Sequence, residues 1–174
     1  MKPFRMASVT TAAALVLAAS GWTAFSYLSP TGRTEFEAVT LHNPDDDQQV
    51  ATAARDVFRA TVQRHTGTRT IQDIPSEIYE VRVTHTYKGN LTGTVLVTQI
   101  PDDPPLRSGH AYIFPTVPWD STGQEHAVLA ETLPRPADRP HQPATTTVGA
   151  AHGTVDQHWT WVTTHPAAGI NSHP

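Results

Sequence analysis

The chain has 174 residues, a formal net charge of −4 and a pI near 6.2, so it lacks the basic excess that nucleic-acid binders carry. It contains no cysteine, which excludes disulfides, zinc–thiolate sites and thiol nucleophiles. With 38% hydrophobic residues, 15 prolines and 10 glycines, it has the makings of one modest β- and loop-rich domain rather than a helical bundle.

Lys2 and Arg5 precede an uncharged run from Met6 to Gly32, densest at Ala12–Ser20. A basic start followed by an apolar middle is what an export signal needs. Two readings compete. Ala18-Ala19-Ser20 before Gly21 places small residues where a signal peptide is cleaved. The uncharged run is also long enough to cross the ~30 Å hydrocarbon core at ~1.5 Å per residue, with Trp22 and Tyr27 at the outer interface. Apolar character resumes at Trp22–Leu28, which favours an uncleaved anchor. Both readings put the rest of the chain outside the cytoplasm.

Ser29-Pro30-Thr31-Gly32 ends this segment, and Thr34–Leu41 alternates loosely like a short strand. Asn43-Pro44 marks a turn. Asp45-Asp46-Asp47 precedes a short helix predicted over Asp47–Arg55, its aspartates capping free N–H groups and favouring the positive dipole end. The calcium alternative for these aspartates lacks the EF-hand glycine and terminal glutamate. Val57–Arg64 is a predicted strand with Phe58, Ala60 and Val62 on one face. Thr68–Ser76 is expected to be a loop stopped by Pro75. Ile78–Phe114 carries the best-formed β pattern: Tyr79, Val81 and Val83 on one face, a Lys88-Gly89-Asn90 turn, a returning strand Thr94–Gln99, a Pro101–Pro105 break, then Ala111–Phe114 entered through a Ser108-Gly109 turn. The expected interior is Phe58, Val62, Tyr79, Val81, Val83, Val95, Val97, Tyr112 and Phe114. A last strand is expected over Glu125–Thr132, with Ala127 and Leu129 opposed to His126, Val128 and Ala130. Leu133–Gly153 is Pro/Ala/Thr-rich and reads as linker or disorder. Thr154 caps a short helix running to about Thr164, with Val155, Trp159 and Val162 on its packing face.

The pattern Tyr79-x-Val81-x-Val83, the Lys88-Gly89 turn, Val95-x-Val97-x-Gln99 and Leu106-x-x-Gly109-x-x-Tyr112-x-Phe114 resembles small exported bacterial proteins with an OB-like barrel of the netrin and tissue-inhibitor-of-metalloproteinase type. The resemblance covers roughly Ala53–Ala130. It implies a small OB-like antiparallel β-barrel; together with the elements read above, the expected fold is mainly β, with an N-terminal apolar helix (transmembrane or signal), a short helix before the barrel and a short C-terminal helix. The domains expected are 1–32 as anchor or signal peptide, 33–133 as barrel, 134–153 as linker, and 154–174 as helix and tail. Inhibitors of that type chelate zinc through an N-terminal cysteine, and this chain has none, so the resemblance implies the fold and not that activity.

His141, His152, His158, His165 and His173 crowd the tail, but none has the spacing of a zinc-protease helix, so they are expected to be exposed linker residues. His85 and His110 are candidates to face each other across strands. Ser108-Gly109-His110 lacks the context of a nucleophile elbow. Asp102-Asp103 and Glu77/Glu80 read as surface acids, and Asn90-Leu91-Thr92 as a coincidental glycosylation sequon. No catalytic, cofactor-binding or metal residue is therefore assigned, and no cofactor. The expected function is a non-enzymatic, extracytoplasmic binding module, tethered at a cell membrane by a single N-terminal span or secreted, its partner an extracytoplasmic protein or envelope component and not nucleic acid. The alternatives are a protease inhibitor acting through a surface loop such as Pro101–Pro105, and a His-rich metal-binding tail. Thr68–Ser76 and Ile100–Pro105 are the loops where a surface-coded function is expected.

Overall fold

The computed structural model describes residues 42–119, 125–145 and 152–168. The elements are α1 (Asp47–Ala53), β1 (Asp56–Ile71), β2 (Ile74–Lys88), β3 (Thr94–Gln99), β4 (Ala111–Pro118), β5 (Glu125–Val128), β6 (Arg135–Pro136) and α2 (Val155–Thr164). The apolar segment 1–32, the expected strand Thr34–Leu41 and His173 lie outside the described residues.

The chain is mainly β, and its strand pairings form a ring. β1 pairs with β2, β2 with β3, β3 with β5, β5 with β4, and β4 returns to β1; β6 adds to β4. The expectation of a wholly antiparallel sheet is corrected in one place: β3 and β5 run parallel, Leu96 opposite Glu125 and Thr98 opposite Ala127. Parity supplies the reason. Strand direction can alternate around a closed ring only if the number of strands is even, so a ring of five must contain a parallel pair.

Curvature comes from β1, whose register against β2 shifts at four points between Val57 and Gly67. Each shift leaves an extra residue that bends and twists the strand. Beyond Thr68, where β3 ends opposite Glu77, β1 and β2 continue as a two-stranded arm, closed by Gln72 and Asp73 with φ of 49° and 65°. The expected loop Thr68–Ser76 is thus a hairpin. Pro75 does not stop it, because it lies opposite Thr70 near the tip of a two-stranded ribbon, where strand prolines are tolerated.

Two apolar clusters hold the ring. Phe58, Ala60, Val62, Tyr79, Val81, Val97, Leu106 and Phe114 form the first, with Val83, Val95 and Tyr112 packed against it. All nine expected interior residues fall in this group. Phe58 and Phe114 stack with ring centroids 5.6 Å apart. Val57 and Ile113 lie on the opposite face of β1 and β4, under Ala51, Ala54, Ala137, Val155, Trp159 and Val162. Strands β1 and β4 are therefore covered on both faces, one by the ring's interior and the other by the helices.

The helices are fixed by polar contacts as well as by burial. Asp46 caps α1, accepting from the Gln48 and Gln49 amides at 3.0 and 3.2 Å. At the other end, the Lys88 ammonium donates to the Ala51, Thr52 and Ala54 carbonyls at 2.8, 3.1 and 2.6 Å, where a cation suits the negative dipole end. Thr154 and Gln157 form a capping box on α2. Asp47 Oδ2 meets His158 Nε2 at 3.0 Å and its Oδ1 accepts from Arg135 Nε at 3.2 Å, so one buried carboxylate ties α1, α2 and β6 together.

The stretch expected as a linker is a structural strap in its described part. Tyr112 and Ile113 pair with Pro136 and Arg135, Ala137 is buried, and the Ala137 amide donates to the Ala111 carbonyl at 2.8 Å. Its prolines and short side chains gave no periodicity, because its partners are distant in sequence.

Candidate functional site

A groove of about 660 Å³ opens where this strap passes the loop before β4. One wall is Pro104, Pro105 and Leu106; the other is Leu133, Pro134 and Pro136; Tyr112 lies between, and Arg107, His110 and Asp138 supply the polar groups.

The first wall is rigid for local reasons. Leu106 is anchored in the ring's interior cluster, and Gln99 Nε2 donates to the Pro104 carbonyl at 3.0 Å. Gly109, at φ 82°, turns the chain so that its amide donates to the Val62 carbonyl at 2.8 Å, while the His110 carbonyl accepts from Val62 N at 3.0 Å. These two bonds continue the β1–β4 ladder into the groove. The proline rings fix φ in both walls, so little backbone freedom remains to be lost on binding.

Its polar side chains form a short relay. Asp138 Oδ1 accepts from the Ala111 amide at 2.7 Å and its Oδ2 meets His110 Nδ1 at 2.9 Å. These two bonds hold the Asp138 carboxyl below the usual carboxylate range. With Nδ1 engaged, the imidazole presents Nε2 outward. The Arg107 amide donates to the Tyr112 hydroxyl oxygen at 3.2 Å. Among the described residues, neither the Tyr112 O–H nor the Arg107 guanidinium has a polar partner. Ser108 does not line the groove, and among the described residues that do there is no serine or threonine.

No protein-family model matches the chain, and no curated protein matches it. The functional reading therefore rests on the fold and on the groove.

Of the two loops singled out by sequence, Ile100–Pro105 supplies part of the groove and Thr68–Ser76 is the projecting arm. The opposite wall was missed, because Leu133–Asp138 has a linker's composition. His85 and His110 do not face each other: His85 lies in β2 opposite Arg59, while His110 is held by Asp138. Glu77 and Glu80 pair across the hairpin with His65 and Arg64. Asp102 and Asp103 stay in the loop, where burial and the neighbouring Asp102 push the Asp103 carboxyl up.

Of the tail histidines, His141 and His165 are exposed as expected, while His158 and His152 are not. His158 is buried against Asp47, and His152 and His165 stack on Trp161 at centroid distances of 3.7 and 4.7 Å. Among the described residues no three His, Asp or Glu side chains gather closely enough to hold a metal ion.

A second titratable cluster lies at the α1–β1–β2 junction. Asp56 is raised by burial, with His126 Nδ1 3.8 Å from its Oδ2 and the Asn90 amide bonded to it; burial lowers the nearby Lys88. Neither they nor His126 line the groove, and Lys88 already caps α1. This cluster fastens the Lys88-Gly89-Asn90 turn to the helix. The expected alternation of the last strand placed His126 opposite Ala127 without identifying it as interior; it is 2% exposed.

Proposed function

We propose that the chain is a non-catalytic binding module carried outside the cytoplasm, with an OB-like barrel as scaffold and the groove as its contact site. The strand ring in the order β1-β2-β3-β5-β4, with its parallel β3–β5 pair, supports the OB-like reading. The observation that carries the binding role is the proline-walled groove lined by Arg107, His110, Tyr112 and Asp138. Residues 1–32 act as an N-terminal membrane anchor, or as a signal that is cleaved. Among the described residues no helix is long and apolar enough to cross a membrane, so anchorage rests on that segment.

The location is tested with alkaline phosphatase or green fluorescent protein fused after Pro174. Phosphatase activity without fluorescence is the expected result. Fluorescence without phosphatase activity places the domain in the cytoplasm and ends this reading. N-terminal sequencing of the mature protein distinguishes anchor from cleaved signal.

A protease inhibitor acting through Pro101–Pro105 is the second reading. It is favoured by the brace from Gln99 to the Pro104 carbonyl, which holds an exposed loop in one shape, as a substrate-like inhibitor requires. Titration against metallo- and serine proteases tests it, and unaltered protease activity rejects it.

A further inference from the structure

We infer that the groove is a docking site for an extended, proline-containing peptide that carries a carboxylate. This deepens the binding-module reading and rests on it.

The walls define the shape of the occupant. Pro104, Pro105 and Pro134 cannot donate backbone hydrogen bonds, and Leu133 is 40% exposed beside them. A β-strand laid here would find no ladder to join along these prolines. A polyproline II segment needs none, since it has no internal hydrogen bonds and packs its rings on aromatic and proline surfaces. Tyr112 supplies the aromatic surface. The cavity, about 660 Å³, lies within the ~300–1,000 Å³ range of ligand clefts and has room for a few residues.

The polar groups fit such a backbone. The Tyr112 hydroxyl oxygen already accepts from the Arg107 amide, and its own proton is available to a peptide carbonyl. His110, with its Nδ1–H donating to Asp138, presents Nε2 as an acceptor for a peptide N–H. A donor and an acceptor on one side of a groove match the exposed C=O and N–H groups of an extended chain.

The charge selects an acidic peptide. Asp138 is engaged twice, by Ala111 and His110. With a neutral His110 the charges of Arg107 and Asp138 sum to zero, but the carboxylate is held by its two hydrogen bonds, so the group left without a partner among the described residues is the Arg107 guanidinium. A carboxylate on the peptide neutralises it through a charge-assisted, bidentate contact of the kind guanidinium groups favour. Nucleic acid would also bring anions, but it needs a basic track rather than one arginine between proline walls.

The test uses the full chain in detergent micelles and three fluorescein-labelled peptides: PPLPEPLPP, PPLPKPLPP and GGLGEGLGG. Fluorescence anisotropy reads binding. The wild type should bind the acidic proline peptide about tenfold more tightly than either of the others, which is the effect of one good contact. Arg107→Glu should reverse the preference between the glutamate and lysine peptides, and Tyr112→Phe should weaken binding several-fold, with circular dichroism unchanged in both. Equal binding of the glutamate and lysine peptides, binding of the glycine peptide as tight as the proline one, or no binding at all overturns the inference. So does an Arg107→Glu variant, folded by dichroism, that keeps the wild-type preference. None of these outcomes moves the phosphatase fusion result, so the site can fail while the extracytoplasmic module stands.

Discussion

Substituting Gly89 should destabilise the protein far more than substituting its neighbour Gly93. Both adopt the left-handed region, with φ of 84° and 74°. A side chain there costs about 1–2 kcal/mol from backbone strain alone. At Gly93 nothing lies within 4 Å of the added Cβ, so strain is the whole cost. At Gly89 the Cβ would collide with Asp56 Oδ1 and come within 2.9 Å of Asp56 Cγ. Asp56 is 6% exposed and its carboxylate accepts from the Asn90 amide. Displacing it forfeits a hydrogen bond to a buried charged group, about 1.5–3 kcal/mol. Gly89→Ala should therefore cost about 2.5–5 kcal/mol in all, a large share of the ~5–15 kcal/mol that holds a typical domain. Urea unfolding at neutral pH, followed by circular dichroism, measures both variants. With a slope of ~1–3 kcal/mol per molar, the two midpoints should separate by about 1 M. Repeating Gly89→Ala in an Asp56→Ala background isolates the cause: the cost should fall to that of Gly93→Ala. Equal midpoints for the two glycine variants, or an unchanged cost without Asp56, would show that the clash with Asp56 is not the cause.

Other expectations follow from the same contacts. Trp159→Ala empties a 3%-exposed site in the helix-side cluster and should cost about 3–5 kcal/mol by urea unfolding, whereas Trp161→Ala, which removes a half-buried stack on His152 and His165, should cost less than about 1.5 kcal/mol. Asp47→Ala leaves His158 and Arg135 without their shared carboxylate and should cost about 3–5 kcal/mol; a loss under about 1 kcal/mol would show that the network does not hold α1 to α2. The Asp138 carboxyl is held below its unfolded value by Ala111 and His110, so its stabilisation is present above the unfolded carboxylate range and fades as pH falls through the lowered value. A carbon-detected NMR titration should find Asp138 still ionised when an unstructured aspartate is half protonated, and a midpoint at or above the unfolded one would contradict the His110–Asp138 geometry.

The sequence was legible where structure has a short period and apolar contrast. Phe58/Ala60/Val62 and Tyr79/Val81/Val83 alternate with polar residues, because one face of each strand meets the interior and the other meets solvent. The pattern weakens where both faces are covered: Val57 with Phe58, and Ile113 with Phe114, give apolar pairs that hide the second cluster beneath the helices. Thr154, Val155, Trp159 and Val162 marked α2 because capping and a 3.6-residue period are local properties. The arm at Thr68–Ser76 was hidden by Pro75 and by a turn whose positive-φ residues are Gln72 and Asp73 instead of glycine. Half of the candidate site was hidden for a different reason. Arg135, Ala137 and Asp138 are fixed by Asp47, Ala111 and His110, and contacts that long-range leave no trace in composition or spacing.

We propose the groove between the Pro104–Tyr112 and Leu133–Asp138 segments as the protein's contact surface. The most direct measurement is an amide chemical-shift titration of ¹⁵N-labelled full chain in micelles with PPLPEPLPP. Saturable shifts should centre on Arg107, His110, Tyr112 and Asp138, with the arm residues Thr68–Ser76 unmoved. Shifts centred on the arm, or none anywhere at saturating peptide, would contradict it.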